Sequence, residues 1–141
     1  MTAKYYLDTN IFLNVVYNER PFVESSLQLL RHVQEGRLVG LTSSVTEIEI
    51  ALDLAKTGNR DKVDQTLGLI ERMANLTICP LNSWTAKMAA KLVLDSGMMI
   101  HDAYHSATAI EHKADVFVTR DKQLNKKLKT QVKVSEPDAL I

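Results

Sequence analysis

The stretch KYYLDTN at residues 4–10 decides the fold of this 141-residue chain. Its first four residues form a short apolar run that is typical of a strand. Residues 10–17 then carry apolar side chains at the three- and four-residue spacing of a helix. A strand that leads directly into a helix favours a parallel sheet, because parallel strands are usually joined by a helical crossover.

The same alternation continues along the rest of the sequence. Helical patterns continue at residues 22–34, 45–56, 60–73, 84–94 and 102–112, and a short basic helix precedes the last strand. Strand-like runs lie between them, at residues 37–41, 76–81, 115–119 and 132–134. The pattern predicts an α/β fold, with a central parallel sheet of about five strands flanked by helices in three layers. No linker, repeat or low-complexity segment divides the chain, so residues 1–141 are predicted to form a single domain.

Composition narrows the class of protein. Hydrophobic residues make up 45% of the chain and charged residues 24%, which is the composition of a globular domain and excludes intrinsic disorder. The single cysteine, Cys79, cannot form an internal disulfide, and no apolar stretch approaches the roughly 18 residues that cross a bilayer. We therefore expect a cytoplasmic protein that makes no membrane contact.

The charges are balanced overall but are not evenly distributed. Seventeen basic and seventeen acidic residues give a formal charge of zero, whereas residues 113–133 hold seven Lys or Arg against two Asp. This segment is either a solvated, lysine-rich surface or a patch that contacts phosphate groups. On the second interpretation, the side chains that would guide a nucleic-acid strand are Arg120, Lys122, Lys126 and Lys127.

Three aspartates occupy positions that suggest chemistry. Asp8 and Asp121 each follow a predicted strand, and the functional crevice of a parallel sheet lies beyond the carboxyl ends of its strands. Taken singly, each residue is better explained as a helix N-cap. Asp102 differs, because helical spacing places it on the packing face of its helix, beside Ser106 and Ala109. A carboxylate on a packing face needs a partner that compensates its charge.

A fourth acid comes from the helix predicted at residues 45–56. Glu47 and Glu49 are two positions apart and therefore lie on nearly opposite sides of this helix. Glu49 flanks the apolar stripe that we expect to be buried, whereas Glu47 points to the far side; the stripe consists of Val45, Ile48, Leu52 and Ala55. Glu49 is therefore the inward-facing acid.

Convergence of these acids would create an electrostatic problem. Two carboxylates about 4 Å apart repel each other by roughly 4 kcal/mol at an effective dielectric constant near 20. A cluster must therefore become protonated, splay apart or bind a cation. All-oxygen ligands suit Mg²⁺ or Mn²⁺, and such an ion favours phosphodiester hydrolysis.

Four short motifs resemble those of the PIN-domain ribonucleases, a family that includes the VapC-type toxins of toxin–antitoxin pairs. The motifs follow the family order, as LDTN at 7–10, SSVTEIEI at 43–50, DAYHSATA at 102–109 and VTRD at 118–121. The resemblance implies a PIN-like fold and a Mg²⁺- or Mn²⁺-dependent endoribonuclease. It implies that the catalytic and metal-binding acids are Asp8, Glu49, Asp102 and Asp121, supported by Thr9, Asn10 and Thr119.

The resemblance also implies partners. These are an RNA substrate, a second copy of the chain in a homodimer and, if the protein is a toxin, an antitoxin protein. The helices predicted between residues 10 and 34 supply the apolar surface that we expect at the dimer contact. A stand-alone nuclease of RNA processing and a non-catalytic PIN-like binding module are the alternatives.

The histidines near Asp102 allow other interpretations. His101 and His105 are one helical turn apart, as in a zinc-protease motif, but Asp102 replaces the glutamate that the motif requires. Two histidines acting as acid and base in a metal-free ribonuclease are a further possibility. A polar, partly exposed stripe that continues to His112, or an interface, is the structural interpretation.

Overall fold

The computed structural model describes residues 2–128 and 131–140. Within these residues, five strands form one sheet, in which every neighbouring pair is parallel. The strands are β1 (Lys4–Leu7), β2 (Val39–Ser43), β3 (Leu76–Cys79), β4 (Val116–Val118) and β5 (Lys133–Ser135). Their order is β3-β2-β1-β4-β5, so the first strand of the chain lies at the centre of the sheet.

Helices connect the strands, as the sequence pattern predicts. They are α1 (Thr9–Val16), α2 (Val23–Gln34), α3 (Ser44–Lys56), α4 (Val63–Glu71), α5 (Ser83–Ser96), α6 (Ile100–Glu111) and α7 (Leu124–Leu128), with short 3-10 turns at Arg60–Lys62 and Pro137–Ala139. None of the helices in the described part of the chain combines the length and apolar character that a membrane crossing requires.

Alternate residues of β1 and β4 point into two separate cores. On one face, Tyr6 and Phe117 are fully buried and pack with α5, α6 and α7. On the other face, Leu7 and Val118 are fully buried and pack with α1 to α4. The sheet is therefore the middle of three layers, which confirms the predicted three-layer α/β/α fold.

The buried side of α3 is not the predicted one. The side chains of Ile48 and Leu52 are 58% and 56% exposed, and the buried residues of the helix are instead Thr46, Ile50 and Leu54. The two stripes lie on nearly opposite sides of a helix with 3.6 residues per turn. The orientation is set partly by a polar contact, because the Oγ1 atoms of Thr42 and Thr46 are 2.8 Å apart in the interior. A prediction from the spacing of apolar residues misses this side of the helix, because it treats Thr46 as a polar, exposed residue.

Candidate active site

The ends of β1 and β4 bring two of the predicted acids to one edge of the sheet. Leu7 lies opposite Val118 in the parallel register, and the backbone N–H of Asp8 donates to the carbonyl of Val118 at 3.0 Å. Asp8 therefore follows β1 directly beside the turn that carries Asp121 after β4. This edge is the position where parallel sheets place their functional crevices.

All four predicted acids line a single cavity of about 390 Å³ at this edge. Its walls are formed by Asp8, Thr9, Asn10, Leu13, Glu49, Leu52, Asp53, Lys56, His101, Asp102 and Asp121. The acids share the cavity without converging on one point. Among the described residues, no three His, Cys, Asp or Glu side chains form a group that could already hold a metal ion.

Asp8 is held at both carboxylate oxygens. Its Oδ1 accepts a hydrogen bond from the backbone N–H of Thr9 at 2.8 Å and caps the N-terminus of α1. Its Oδ2 accepts a hydrogen bond from Thr119 Oγ1 at 2.6 Å. The capping interpretation of Asp8 is thus correct, and it is compatible with a place in the cavity wall, since the residue keeps 8% of its surface exposed.

Thr119 links the acids that follow β1 and β4. Its Oγ1 donates to Asp8 and accepts from the backbone N–H of Asp121 at 3.0 Å. Asp121 also forms a tight local turn, because its Oδ1 accepts from the N–H of Gln123 at 2.9 Å. The resemblance implies a supporting role for Thr119, and in the structure its hydroxyl is hydrogen-bonded to both Asp8 and Asp121.

Glu49 is held by a threonine and a histidine. Thr9 Oγ1 donates to Glu49 Oε1 at 3.0 Å, and Nε2 of His105 forms a hydrogen bond with the same oxygen. Burial alone would raise the pKa of Glu49, but the hydrogen bond and charge of His105 outweigh it and lower the pKa below its ordinary value. Glu47 does not line the cavity, and its pKa is raised by burial and by a hydrogen bond to Glu71.

Asp102 lies in the first turn of α6, with its side chain 15% exposed. Its Oδ1 is 3.5 Å from Nε2 of His101. Burial raises the pKa of Asp102 above its ordinary value, and the charges of Asp8 and Asp121 act in the same direction against the opposing influence of His101. The negative charges of Asp8 and Asp121 therefore make ionisation of Asp102 less favourable. Asn10 adds a further oxygen, since its Oδ1 is buried without a hydrogen-bond partner among the described residues.

His105 is the residue that the sequence interpretation misplaced. Its side chain is 1% exposed and lies between β1 and α3, whereas His101 on the same helix is 53% exposed. A shared, partly exposed histidine stripe is therefore wrong. Burial would lower the pKa of His105, but the hydrogen bond to Glu49 and the nearby charge of Asp8 more than reverse this effect, so the pKa lies above its ordinary value.

Arg120 does not suit the guiding role that we expected for it. The side chain is 11% exposed, and its guanidinium lies over the ring of Phe22, 4.7 Å from the centroid. Its N–H groups donate to Asn14, Ser26 and Asp138, among other acceptors. Arg120 thus joins the end of β4 to α1, to α2 and to the last 3-10 turn.

Two other basic side chains, Lys56 and Lys122, line cavities at this edge of the sheet. Lys122 is exposed and lines a neighbouring cavity of about 160 Å³ that shares Asp121 with the first. Lys126 is exposed and Lys127 is half-buried. Lys56, which sequence reasoning missed, lines the main cavity. Its position seven residues after Glu49 puts both side chains on the same side of α3, and this spacing is a signal that the sequence contained.

Comparisons with solved structures show the same fold at low sequence identity. The chain is similar to a chain of VapBC2 from Rickettsia felis, with 19% identity, a TM-score of 0.69, and coverage of 94% of this chain and 98% of the other. It is similar to a chain of FitAcB from Neisseria gonorrhoeae, with 22% identity, a TM-score of 0.68, and coverage of 94% and 97%. For VapBC-1 from nontypeable Haemophilus influenzae, the identity is 17%, the TM-score 0.68, and the coverage 96% and 98%.

A family model adds an assignment that does not depend on these structures. No curated protein matches the chain. The model of the PIN domain, however, matches residues 5–129, which include all four acids of the cavity. Together with the parallel sheet and the acidic edge, this match shows that the chain belongs to the PIN domain family.

Proposed function

We propose that the protein is a cytoplasmic, metal-dependent endoribonuclease and the toxin of a toxin–antitoxin pair. One observation carries the proposal. Four carboxylates that are far apart in sequence, at Asp8, Glu49, Asp102 and Asp121, line one cavity at the carboxyl edge of a parallel sheet. Structural roles alone account for the Asp8 cap and the Asp121 turn, but not for Asp102 or Glu49.

The cavity fits a divalent cation by the chemistry of its donors. Its acids are hard oxygen ligands, and the unpartnered buried oxygen of Asn10 is of the same type. The raised pKa of Asp102 reflects burial together with like charges that a cation would offset. When bound, Mg²⁺ or Mn²⁺ lowers the pKa of water and neutralises charge that builds on a phosphate during hydrolysis.

The residues of the chain position the participants. Thr119 holds Asp8 and Asp121 together, and Thr9 holds Glu49. Lys56 at the cavity wall and exposed Lys122 beside it are suited to contact the phosphates of an RNA strand. Hydrolysis by water leaves a 5′-phosphate and a 3′-hydroxyl, whereas attack by the ribose hydroxyl leaves a 2′,3′-cyclic phosphate.

The test is RNA cleavage by purified protein with Mg²⁺ or Mn²⁺, with EDTA as the control. We expect Asp8→Asn to abolish cleavage while the protein remains folded, because the amide oxygen can still cap α1. Asp95→Asn, which makes the same chemical change at an exposed position of α5, serves as the matched control and should cleave like wild type. Undiminished, metal-dependent cleavage by Asp8→Asn would refute the proposal. Absence of any cleavage would favour a non-catalytic binding module.

Partners of similar proteins support the toxin assignment. The solved relatives include toxin–antitoxin complexes such as one from Klebsiella pneumoniae. We therefore propose an antitoxin protein as a partner of this chain. A small DNA-binding protein encoded in the neighbouring reading frame that co-purifies with the chain would support this assignment. A chain expressed alone and without such a neighbour would favour a stand-alone processing nuclease.

A homodimer is the second proposed assembly. The predicted contact surface at residues 10–34 exposes Val16 and Phe22, at 37% and 41%. The unexpected side of α3 exposes Ile48 and Leu52 more fully. Light scattering should give about twice the chain mass of 15.8 kDa. Phe22→Glu should yield monomers if the surface at residues 10–34 forms the contact. Ile48→Glu should yield monomers if the exposed side of α3 forms it. A monomeric wild-type protein would exclude the dimer.

A further inference from the structure

A line of buried polar side chains runs from the core to the cavity wall. It begins at Tyr6 in the central strand, whose hydroxyl lies 2.6 Å from Nδ1 of His105. It continues from Nε2 of His105 to Oε1 of Glu49. Tyr6 is 0% exposed and His105 is 1% exposed, whereas the Glu49 side chain keeps 30% of its surface exposed and lines the cavity. Only the last member of the line therefore reaches the site.

The chemistry of the partners fixes the direction of the hydrogen bonds. A carboxylate accepts and does not donate, so Nε2 of His105 carries the proton that faces Glu49. Asp8 Oδ1 lies 3.8 Å from the same nitrogen and reinforces this assignment. The Tyr6 hydroxyl holds the ring at its other nitrogen, in the way that a second partner orients a metal-binding or catalytic side chain.

Glu49 would be mobile without this support. A glutamate has three side-chain torsions, and α3 presents this one at the edge of its packing surface. Thr9 supplies one donor to Oε1 and His105 supplies a second, from opposite elements of the fold. Two donors on one oxygen restrict where the other carboxylate oxygen can lie.

We propose that His105 is a positioning residue, which acts with Tyr6 to hold the Glu49 carboxylate in the orientation that the cavity uses. The proposal rests on the function proposed above, in which Glu49 is one of the acids that bind the cation. His105 itself does not touch the substrate in this assignment. It acts through Glu49.

Three variants separate positioning from simple core filling. His105→Leu removes the donor but keeps an apolar side chain of moderate size, and His105→Gln keeps an N–H donor. Tyr6→Phe deletes only the hydroxyl that orients the ring. Phe117→Leu is the structural control, because Phe117 stacks on Tyr6 at 5.0 Å between ring centroids without a bond to the polar line.

The first readout is Mn²⁺ affinity, measured by electron paramagnetic resonance on the full chain, alongside RNA cleavage. We expect His105→Leu to lose about 10- to 100-fold in affinity and cleavage, which is the usual effect of removing a partner that orients a ligand. His105→Gln should recover part of the loss, and Tyr6→Phe should show a smaller loss. Phe117→Leu should lower the melting temperature and leave Mn²⁺ affinity unchanged. Equal affinities in wild type, His105→Leu and Tyr6→Phe would overturn the proposal.

The second readout does not need a metal or a substrate. Nitrogen-15 NMR of the histidine rings in the metal-free protein should show a proton on Nε2 of His105, with a signal that moves in Glu49→Gln. A neutral ring protonated at Nδ1 instead would overturn the proposal even if the nuclease is active. Wild-type protein that neither binds Mn²⁺ nor cleaves RNA, but shows the Nε2 proton and its response to Glu49→Gln, would refute the proposed function and leave the polar line established.

Discussion

At the scale of single residues, Thr119 shows how one hydroxyl organises two acids. It is 1% exposed, and it donates to Asp8 while accepting from the backbone of Asp121. A valine of the same shape would leave both partners without this hydrogen bond. A buried group left unpaired costs about 1–3 kcal/mol.

We therefore expect Thr119→Val to unfold at lower urea concentration and to cleave RNA about 10- to 100-fold more slowly. Thr119→Ser restores the hydroxyl and should recover most of the activity. Denaturation curves and initial cleavage rates of both variants check this expectation. A valine variant as active as the serine variant would show that the hydroxyl has no part in holding the acids.

The same scale explains which site residues the sequence could predict. Asp8 and Asp121 follow strands, and parallel topology then brings them to one edge whatever the details of packing. The environments of His105 and Arg120 depend instead on partners from distant elements, namely Glu49 and Phe22. Local periodicity carries no information about such contacts, so the burial of His105 and the internal hydrogen bonds of half-buried Arg120 were not predicted.

At the scale of elements, the contact of α2 with the sheet depends on a glycine in β2. A Cβ atom on Gly40 would lie 3.0 Å from both Val33 Cγ1 and Leu76 Cδ1. These distances are shorter than ordinary van der Waals contact. A side chain at this position would require the side chains of Val33 and Leu76 to shift by a few tenths of an ångström.

Gly40→Ala should therefore destabilise the protein by about 1–3 kcal/mol, the usual cost of overpacking a core. Urea denaturation followed by circular dichroism measures this effect. Val33→Ala in the same chain should reduce the penalty by making room for the new methyl group. Additive losses in the double variant would contradict the proposed clash.

Element positions were predicted more accurately than element orientations. The alternating runs located the strands and helices because buried parallel strands are nearly continuous apolar segments. The orientation of α3 was wrong because its buried side begins with Thr46 and its exposed side carries Ile48 and Leu52. The selection of Glu49 over Glu47 as the cavity acid agrees with the structure, since Glu49 flanks both the predicted and the observed stripe.

At the scale of the whole molecule, the proposed binding of RNA by a chain without net charge depends on local positive charge. Lys56 and Lys122 lie near the acidic cavity on different elements, whereas Lys91 on α5 is exposed elsewhere. Each phosphate contact to a single strand contributes about 0.7 to the slope of binding against salt on a double-logarithmic plot. We expect Lys56→Ala and Lys122→Ala each to reduce this slope by about that amount.

Binding of a fluorescent RNA at several salt concentrations, in a cleavage-deficient Asp8→Asn background, measures the slope. Lys91→Ala is the control and should leave it unchanged. Equal slopes for the Lys56, Lys122 and Lys91 variants would show that the strand takes another path across the molecule.

The placement of β1 at the centre of the sheet has a consequence for protein synthesis. Asp8 is synthesised long before the strand beside it, because β4 begins at Val116 and carries Asp121 beyond its end. A nascent chain therefore lacks a wall of its cavity until β4 and Asp121 have been translated. Under the proposed function, a nascent chain therefore cannot cleave the message that encodes it before β4 and Asp121 have left the ribosome.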